Sequence, residues 1–321
     1  MIEYRPFRNS DPPHLARVWN HASPQPGRLP GLTARILDET ALARLYFEPE
    51  GMSVATRDGK VVGFAHGSFG PNSDHSQLDK ARGSVSAIVI DNSACEASEV
   101  LEISGKLLLR VEAYLRSQGA TTVAAGGREA ADPFYLGLLG GSRCEGWPAE
   151  DRDSVEWFRA AGYTEQGRRV VWRKTLQGFR APMDRGNLQW QRTALVERKA
   201  EQAASSWWDA STFAQHERSH YQLRLRPPAK RSAQIVFWDV QPFSDASGHR
   251  LAGLLSWSCD SQAFSDGLLR FLVCDSLRRM LDYGVAEVEA QLGPEDTVMS
   301  DVLRSLDFRP QSEKLLLVKP L

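Results

Sequence analysis

Residues Ser84–Ala125 read SVSAIVIDNSACEASEVLEISGKLLLRVEAYLRSQGATTVAA, and the spacing within this stretch decides the fold. Ser84–Ile90 has strand composition, small and β-branched residues that fit a pleated, buried surface. Asp91-Asn92-Ser93 are turn formers and stop the strand. From about Glu96 the apolar or small side chains fall at Ala97, Val100, Leu101, Ser104, Leu107, Leu108, Val111 and Leu115. That is the i, i+3, i+4, i+7 pattern of an amphipathic helix. Gly119 follows Arg116-Ser117-Gln118, as a helix C-terminus should. Thr121–Ala125 is then a short buried strand. Strand, turn, helix and strand in this order make a crossover unit. Its turn–helix junction suits a phosphate, because free backbone N–H groups and the helix dipole point there.

The unit recurs near the C-terminus. Leu268–Leu281 is helical, Gly284 ends it, and Val285–Ala290 is a strand. From Leu107 to Gly119 is 12 residues, as is Leu272 to Gly284. Each unit is followed by a short helix ending in an aromatic, Ser154–Tyr163 and Val298–Phe308. Each of those precedes a strand, Val170–Lys174 and Leu315–Lys319. The chain reads as an internal duplication.

At these residues the sequence resembles the GNAT superfamily of acyl-CoA-dependent N-acyltransferases. Ala161-Gly162-Tyr163 is similar to that superfamily's small-Gly-aromatic signature. The resemblance extends to Tyr4–Asp11 and to Asp58–Ala65, a hairpin common in the family. It implies an α+β chain of two tandem domains, each a mixed central sheet flanked by helices. Residues 1–176 form the first, and residues 188–321 a shortened, degenerate second. The two are expected to pack as a monomeric pseudo-dimer or to form a homodimer.

The remaining elements follow locally. Tyr4–Arg8 is expected as a strand and Pro12–Asn20 as a helix with prolines in its first turn. The stretch 21–31 reads as a loop and Thr33–Tyr46 as helical. Met52–Arg57 and Val61–Phe69 form a hairpin about Asp58-Gly59. Residues 126–151 are a Gly-rich insertion with Phe134 and Tyr135 as candidates to line a cleft. Residues 177–187 are a linker. In the second half, Leu188–Arg192, Gln234–Val240 and Leu251–Ser258 read as strands, with 242–249 as a loop. Offsets between the halves change from 186 at Tyr4/Trp190 to 165 at Leu107/Leu272 and 145 at Tyr163/Phe308. The first change is expected to remove most of the second half's counterpart of Ser84–Ile90, because only Cys259–Asp266 separates Ser258 from the next helix, and the second the Gly-rich insertion.

Composition excludes several classes. Hydrophobic residues make up 42% and charged residues 25%, ordinary for a globular protein, and the net charge of −1 gives nucleic acid no attraction. No apolar run spans a bilayer, and the polar start predicts no leader peptide. Cys95, Cys144, Cys259 and Cys274 show no metal-type pairing and read as reduced thiols of a cytoplasmic protein. His216-Glu217-Arg218-Ser219-His220 matches H-E-x-x-H, but Arg218 and Ser219 stand where that helix is apolar, so no metal is expected there.

The resemblance also implies a site. Acetyl-CoA is the expected co-substrate, with pantetheine beside Val89, Ile90 and Asp91. The family's pyrophosphate turn, aligned by the helix end, falls on Glu99–Ser104 and on Phe264–Leu269, and neither matches it. Glu102 opposes an anion, whereas Ser104, Gly105 and Lys106 are small, flexible and cationic. The family's proton-donating tyrosine is replaced by Phe158 and Leu303. Tyr135 is the candidate donor, with Tyr163 as an alternative, and Asp91 the candidate base. The expected activity is acyl transfer, acetyl in particular, to an amine of a small molecule or peptide. The alternative is a GNAT-derived binding or scaffold module without catalysis.

Overall fold

The computed structural model describes residues 1–22, 28–129, 132–139, 141–199, 206–213, 216–225, 232–260 and 267–321. They form two compact units: Met1–Arg169 with Ser206–Ala214 and Ser312–Leu321, and Val170–Ser205 with Gln215–Gln311. The units are not the two halves of the sequence. Each is completed by a strand that the other half of the sequence supplies.

The first unit opens with strand β1 (Ile2–Pro6), helix α1 (Pro12–His21) and helix α2 (Ala34–Leu37), which widens into a π turn over Asp38–Leu42. Thr33 caps α2 through its side chain. Strands β2 (Met52–Arg57) and β3 (Lys60–Pro71) form the expected hairpin. Asp58 and Gly59 both have positive φ, 48° and 77°, as a tight primed turn requires. Strand β4 (Leu78–Ile90), helix α3 (Ala97–Ser117) and strand β5 (Thr122–Ala125) are the crossover unit. Strand β6 (Trp147–Pro148), helix α4 (Arg152–Ala160) and strand β7 (Thr164–Thr175) follow.

The second half begins with a difference. Leu188–Arg192 is helical, inside α5 (Arg185–Thr193), because Asp184 accepts the Asn187 amide as an N-cap. The first strand of this half is therefore β8 (Ala194–Lys199), followed by helix α6 (Trp207–Phe213) and strands β9 (Arg218–Leu225) and β10 (Ala233–Asp239). The expected loop at 242–249 is a short helix, α7 (Gln241–Ser247), with Pro242 in its first turn and Gly248 closing it at φ 75°. Strand β11 (Arg250–Cys259), helix α8 (Leu268–Asp282), strand β12 (Val285–Leu292), helix α9 (Thr297–Ser305) and strand β13 (Arg309–Pro320) complete the chain.

In the first unit the strand order is β1-β2-β3-β4-β5-β13. All pairings are antiparallel except β4–β5. In the second the order is β7-β12-β11-β10-β9-β8, with only β11–β12 parallel. The orders match element by element, and β11 stands where β4 stands. The second half therefore keeps its central strand, against expectation. What it lacks lies between its first two strands, where residues 200–217 replace residues 7–51. The expectation at Cys259–Asp266 lies partly outside the described residues, since only Cys259 and Asp260 are described there.

Each unit has its own core. In the first, Ile103, Leu107, Leu108, Val111 and Leu115 of α3 are buried, as the periodicity requires. In the second, Leu268, Leu272, Leu277 and Met280 of α8 join Ile235, Phe237, Leu254 and Val288.

Candidate functional site

Register places the site. Along β3–β4, Gly67 pairs with Val85 and His66 with Ala87, so Ser86 is one residue too many. Such a bulge bends and twists its strand. The β4–β5 pairing ends here, at Val85 and Ala125, while β4 runs on to Ile90. No strand pairs with that edge of Ala87–Ile90 among the described residues. The second unit repeats the device. Phe237 pairs with Leu254 and Val236 with Ser256, leaving Leu255 as the extra residue, and β11–β12 pairing ends at Gly253 and Glu289.

On one face of the first unit's sheet, α3 and α4 border a groove of about 460 Å³. Leu101, Ser104, Gly105, Leu108 and Glu112 line it from α3, Trp157 and Ala160 from α4, and Lys319 from β13. Leu101 and Leu109 are 58% and 65% exposed along it, which is unusual apolar surface for one helix. Lys319 donates to the buried Glu112 at 2.7 Å. Of the residues predicted for the cofactor, Ser104 and Gly105 line this groove. Lys106 does not: it is ion-paired with Glu102 on the exposed side of α3.

Helix-end alignment puts the expected pyrophosphate contacts within a helix and not at its start. Ser104-Gly105-Lys106 lie inside α3, where backbone N–H groups are spent on the helix itself. The N–H groups without a helical carbonyl belong to the first turn, at Ala97–Glu99, preceded by Asp91–Glu96; the Val100 N–H already bonds the Glu96 carbonyl at 2.9 Å. That position is taken by the protein's own carboxylates. Glu96 is the N-cap, and it and Glu99 form a reciprocal capping box. Glu99 also meets Arg57 at 2.7 Å, and the Glu96 amide and Arg57 together hold its carboxyl below the usual range. Glu96-x-x-Glu99 is visible in the sequence as capping-box spacing.

Asp91 ends β4 fully buried. Arg17 donates to it at 3.1 Å, His21 lies 3.3 Å away and the Ser93 hydroxyl donates at 2.5 Å. Burial pushes this carboxyl up, but the bonds from Ser93 and His21 outweigh it and the group is held below its ordinary value. An acid so engaged ties α1 to β4. Val89 and Ile90 are buried beside it. A Cβ at Gly63 would meet the Ile90 and Leu107 side chains at 3.3 and 3.5 Å.

The opposite face carries Tyr135. It is 1% exposed, has a positive φ of 59°, and stacks on Trp19 with ring centroids 6.3 Å apart and planes 6° off parallel. Its hydroxyl has no hydrogen-bond partner among the described residues, and burial raises its pKa. Its ring meets His66 of β3 at 5.7 Å. The sequence reading passed over His66, a lone histidine in a strand. Tyr163 packs against Phe158, rings 5.0 Å apart, with the Lys319 ammonium over its face.

The H-E-x-x-H segment is not on a helix. Arg218–Leu225 is strand β9, so His216 and His220 lack the one-turn spacing that motif needs. All four cysteines are unpaired. Among the described residues no helix is long and apolar enough to cross a membrane.

No family model and no curated protein matches the sequence. Solved structures do match in fold. One is a GCN5-related glucosamine N-acetyltransferase region of a fungal multi-domain GH3 β-N-acetylglucosaminidase. Its TM-score is 0.72 at 15% identity over 99% of this chain, which spans only 38% of that protein's length. A tandem GNAT protein from the clavulanic acid biosynthesis pathway matches with TM-score 0.64 at 13% identity, covering 100% of this chain and 98% of that one. A GCN5-related N-acetyltransferase from Sphaerobacter thermophilus gives 0.66 at 13%, covering 99% and 95%. The fold of this chain is the tandem GNAT fold.

Proposed function

We propose that the chain is an acyl-CoA-dependent N-acyltransferase whose first unit takes acetyl-CoA and passes the acyl group to an amine of a small molecule or peptide. One observation carries the reading: the bulge at Ser86 frees the edge of Ala87–Ile90 from β5. Backbone N–H and C=O groups on that edge can pair with the two amides of a pantetheine arm, as an added strand would. Val89, Ile90 and Asp91 supply that edge. Ser104 and Gly105 line the adjoining apolar groove. Tyr135 is the proposed proton donor to the departing thiolate. Asp91 contributes by fixing α1 at the end of the strand. Unpaired cysteines suit a reducing compartment such as the cytoplasm.

A second reading, a binding or scaffold module, is favoured by the capping box at the start of α3. A pyrophosphate there faces Glu96 and Glu99, a like-charge arrangement that weakens binding. Isothermal titration with acetyl-CoA separates the two. Acyltransfer requires binding that weakens with added salt and is lost in a groove-filling Gly105→Phe variant, while a bulky change at the matching Arg270 leaves it intact. No heat of binding at high protein concentration sinks the enzymatic reading.

A further inference from the structure

His66 and Tyr135 each carry a buried polar atom that packing leaves unspent, and their rings meet on one face of the sheet. His66 is 1% exposed, and its Nδ1, like the Tyr135 hydroxyl, has no hydrogen-bond partner among the described residues. Buried polar atoms without partners cost about 1–3 kcal/mol each, so a fold retains them where they do something else. Their place supports this. His66 pairs with Ala87, the first residue past the bulge, where β4 parts from β5. Gly67 turns toward Val111 and Leu115 of α3, so the alternation of β3 aims His66 at the opposite face. There Phe47 and Phe134 wall its ring at 5.3 and 4.9 Å. Tyr135 is clamped by Trp19, whose indole donates to the Leu29 carbonyl at 2.8 Å. Its backbone sits in the left-handed region, a conformation that costs a non-glycine residue energy and recurs at working sites.

Resting on the acyltransfer reading above, we propose that His66 is a catalytic residue acting with Tyr135 as an acid–base pair at the open end of β4. The amine nitrogen attacks the thioester carbonyl and forms the C–N bond. The nitrogen's surplus proton passes to His66 Nδ1, in the tautomer that carries its hydrogen on Nε2. As the C–S bond breaks, Tyr135 gives its hydroxyl proton to the thiolate sulfur. The proton on His66 then returns to the tyrosinate, so amine and thioester become amide and free thiol with both residues restored. Burial holds the imidazole neutral, with its pKa pulled down to about 3, so its lone pair is open but becomes a competent acceptor only as the tyrosinate charge forms beside it. The imidazolium and the tyrosinate that form together are opposite charges on rings 5.7 Å apart, and each offsets the burial penalty of the other.

The probe is acetyl-CoA with hydroxylamine as the amine, read as thiol release above the uncatalysed rate. Calorimetric acetyl-CoA affinity is measured on the same samples. Tyr135→Phe and His66→Gln should each lower turnover by roughly 100-fold and leave affinity unchanged. The double variant should be no slower than the slower single, because paired groups fail as a unit. Added imidazole should partly restore His66→Gly and do nothing for His66→Gln. Singles that turn over like the parent, or losses that multiply in the double variant, overturn the pair. A parent chain that binds acetyl-CoA but releases no thiol above background also overturns the pair and leaves the binding reading standing. A parent that binds no acetyl-CoA sinks both.

Discussion

Glu99 decides what the start of α3 can hold. A helix N-terminus offers partial positive charge and unpaired N–H groups, and here a carboxylate from the same chain takes them. Replacing Glu99 with Gln removes the charge and keeps the shape. It should tighten acetyl-CoA binding, measured by calorimetry at low salt, and release Arg57 to face the phosphates. Glu102, which looks like the offending acid by sequence position, is exposed, pairs with Lys106 and sits beyond the first turn, so Glu102→Gly should not tighten binding. A second residue-scale prediction concerns pH. His66 folds with its pKa lowered to about 3, so between about 3 and 6.5 only the unfolded chain takes up this proton, and stability falls as pH drops. Asp132 has the opposite sign: burial, against the pull of Arg128, raises it to about 6, so the folded chain holds a proton that the unfolded chain releases, and stability falls as pH rises from about 4 to 6. The two slopes oppose each other in the parent. In His66→Leu the histidine's slope is gone, so on lowering pH from 6 to 4 the urea midpoints should fall less than they do in the parent. Parallel series for parent and variant would mean that His66 does not titrate as its burial requires.

At the scale of elements, α3 and the insertion after β5 are the parts with testable packing. A side chain added at Gly105 meets nothing within 4 Å, and the residue lines the groove. Gly105→Ala should therefore stabilise the protein by about 0.5–1 kcal/mol, the helix-interior difference between the two residues, with acetyl-CoA affinity nearly unchanged. Gly105→Phe should cost at least about tenfold in affinity, or about 1.4 kcal/mol, by occupying the groove. Gly126 is the contrary case. Its φ is 78° and a Cβ there would lie 2.4 Å from the Gly146 carbonyl, so the base of the insertion closes only on glycine. Gly126→Ala should destabilise by more than about 2 kcal/mol in denaturant titration and disturb Tyr135, which the insertion carries.

At the scale of the molecule, each unit depends on a strand from far along the chain. Val318, Lys319 and Pro320 pair with Ala124, Val123 and Thr122, and Leu315 pairs with Trp147. Val170–Thr175 in turn pairs with Leu292–Glu287 of the second unit. Ending the chain at Gln311 should leave the β5 edge bare and the buried Glu112 without Lys319, its partner. Removing one member of a buried pair costs about 3–5 kcal/mol, so the truncated chain should lose cooperative unfolding of its first unit. A synthetic peptide of residues 312–321 should restore it in part. Undiminished thermal unfolding of the truncated chain would show that this strand is not needed.

Local spacing in the sequence was enough for α3, its partner α8, the Asp58-Gly59 hairpin and the repeat of helix, glycine and strand. Those features depend on side-chain periods and turn residues within a few positions of one another. Spacing misjudged Leu188–Arg192, where the Asp184 cap outweighs strand composition, and it put the second half's deletion in the wrong place. Offsets count residues but do not say which strand lies beside which, and the counterpart of β4 is known only from its parallel pairing with β12. The site divides the same way. Ser104 and Gly105 could be placed on one face of α3 from the sequence because they sit on a periodic helix, whereas His66 is one histidine among seven until β3, the bulge at Ser86 and the insertion bring it against Tyr135. Contacts across a long loop closure are set by the whole packed unit, and no short window of sequence contains them.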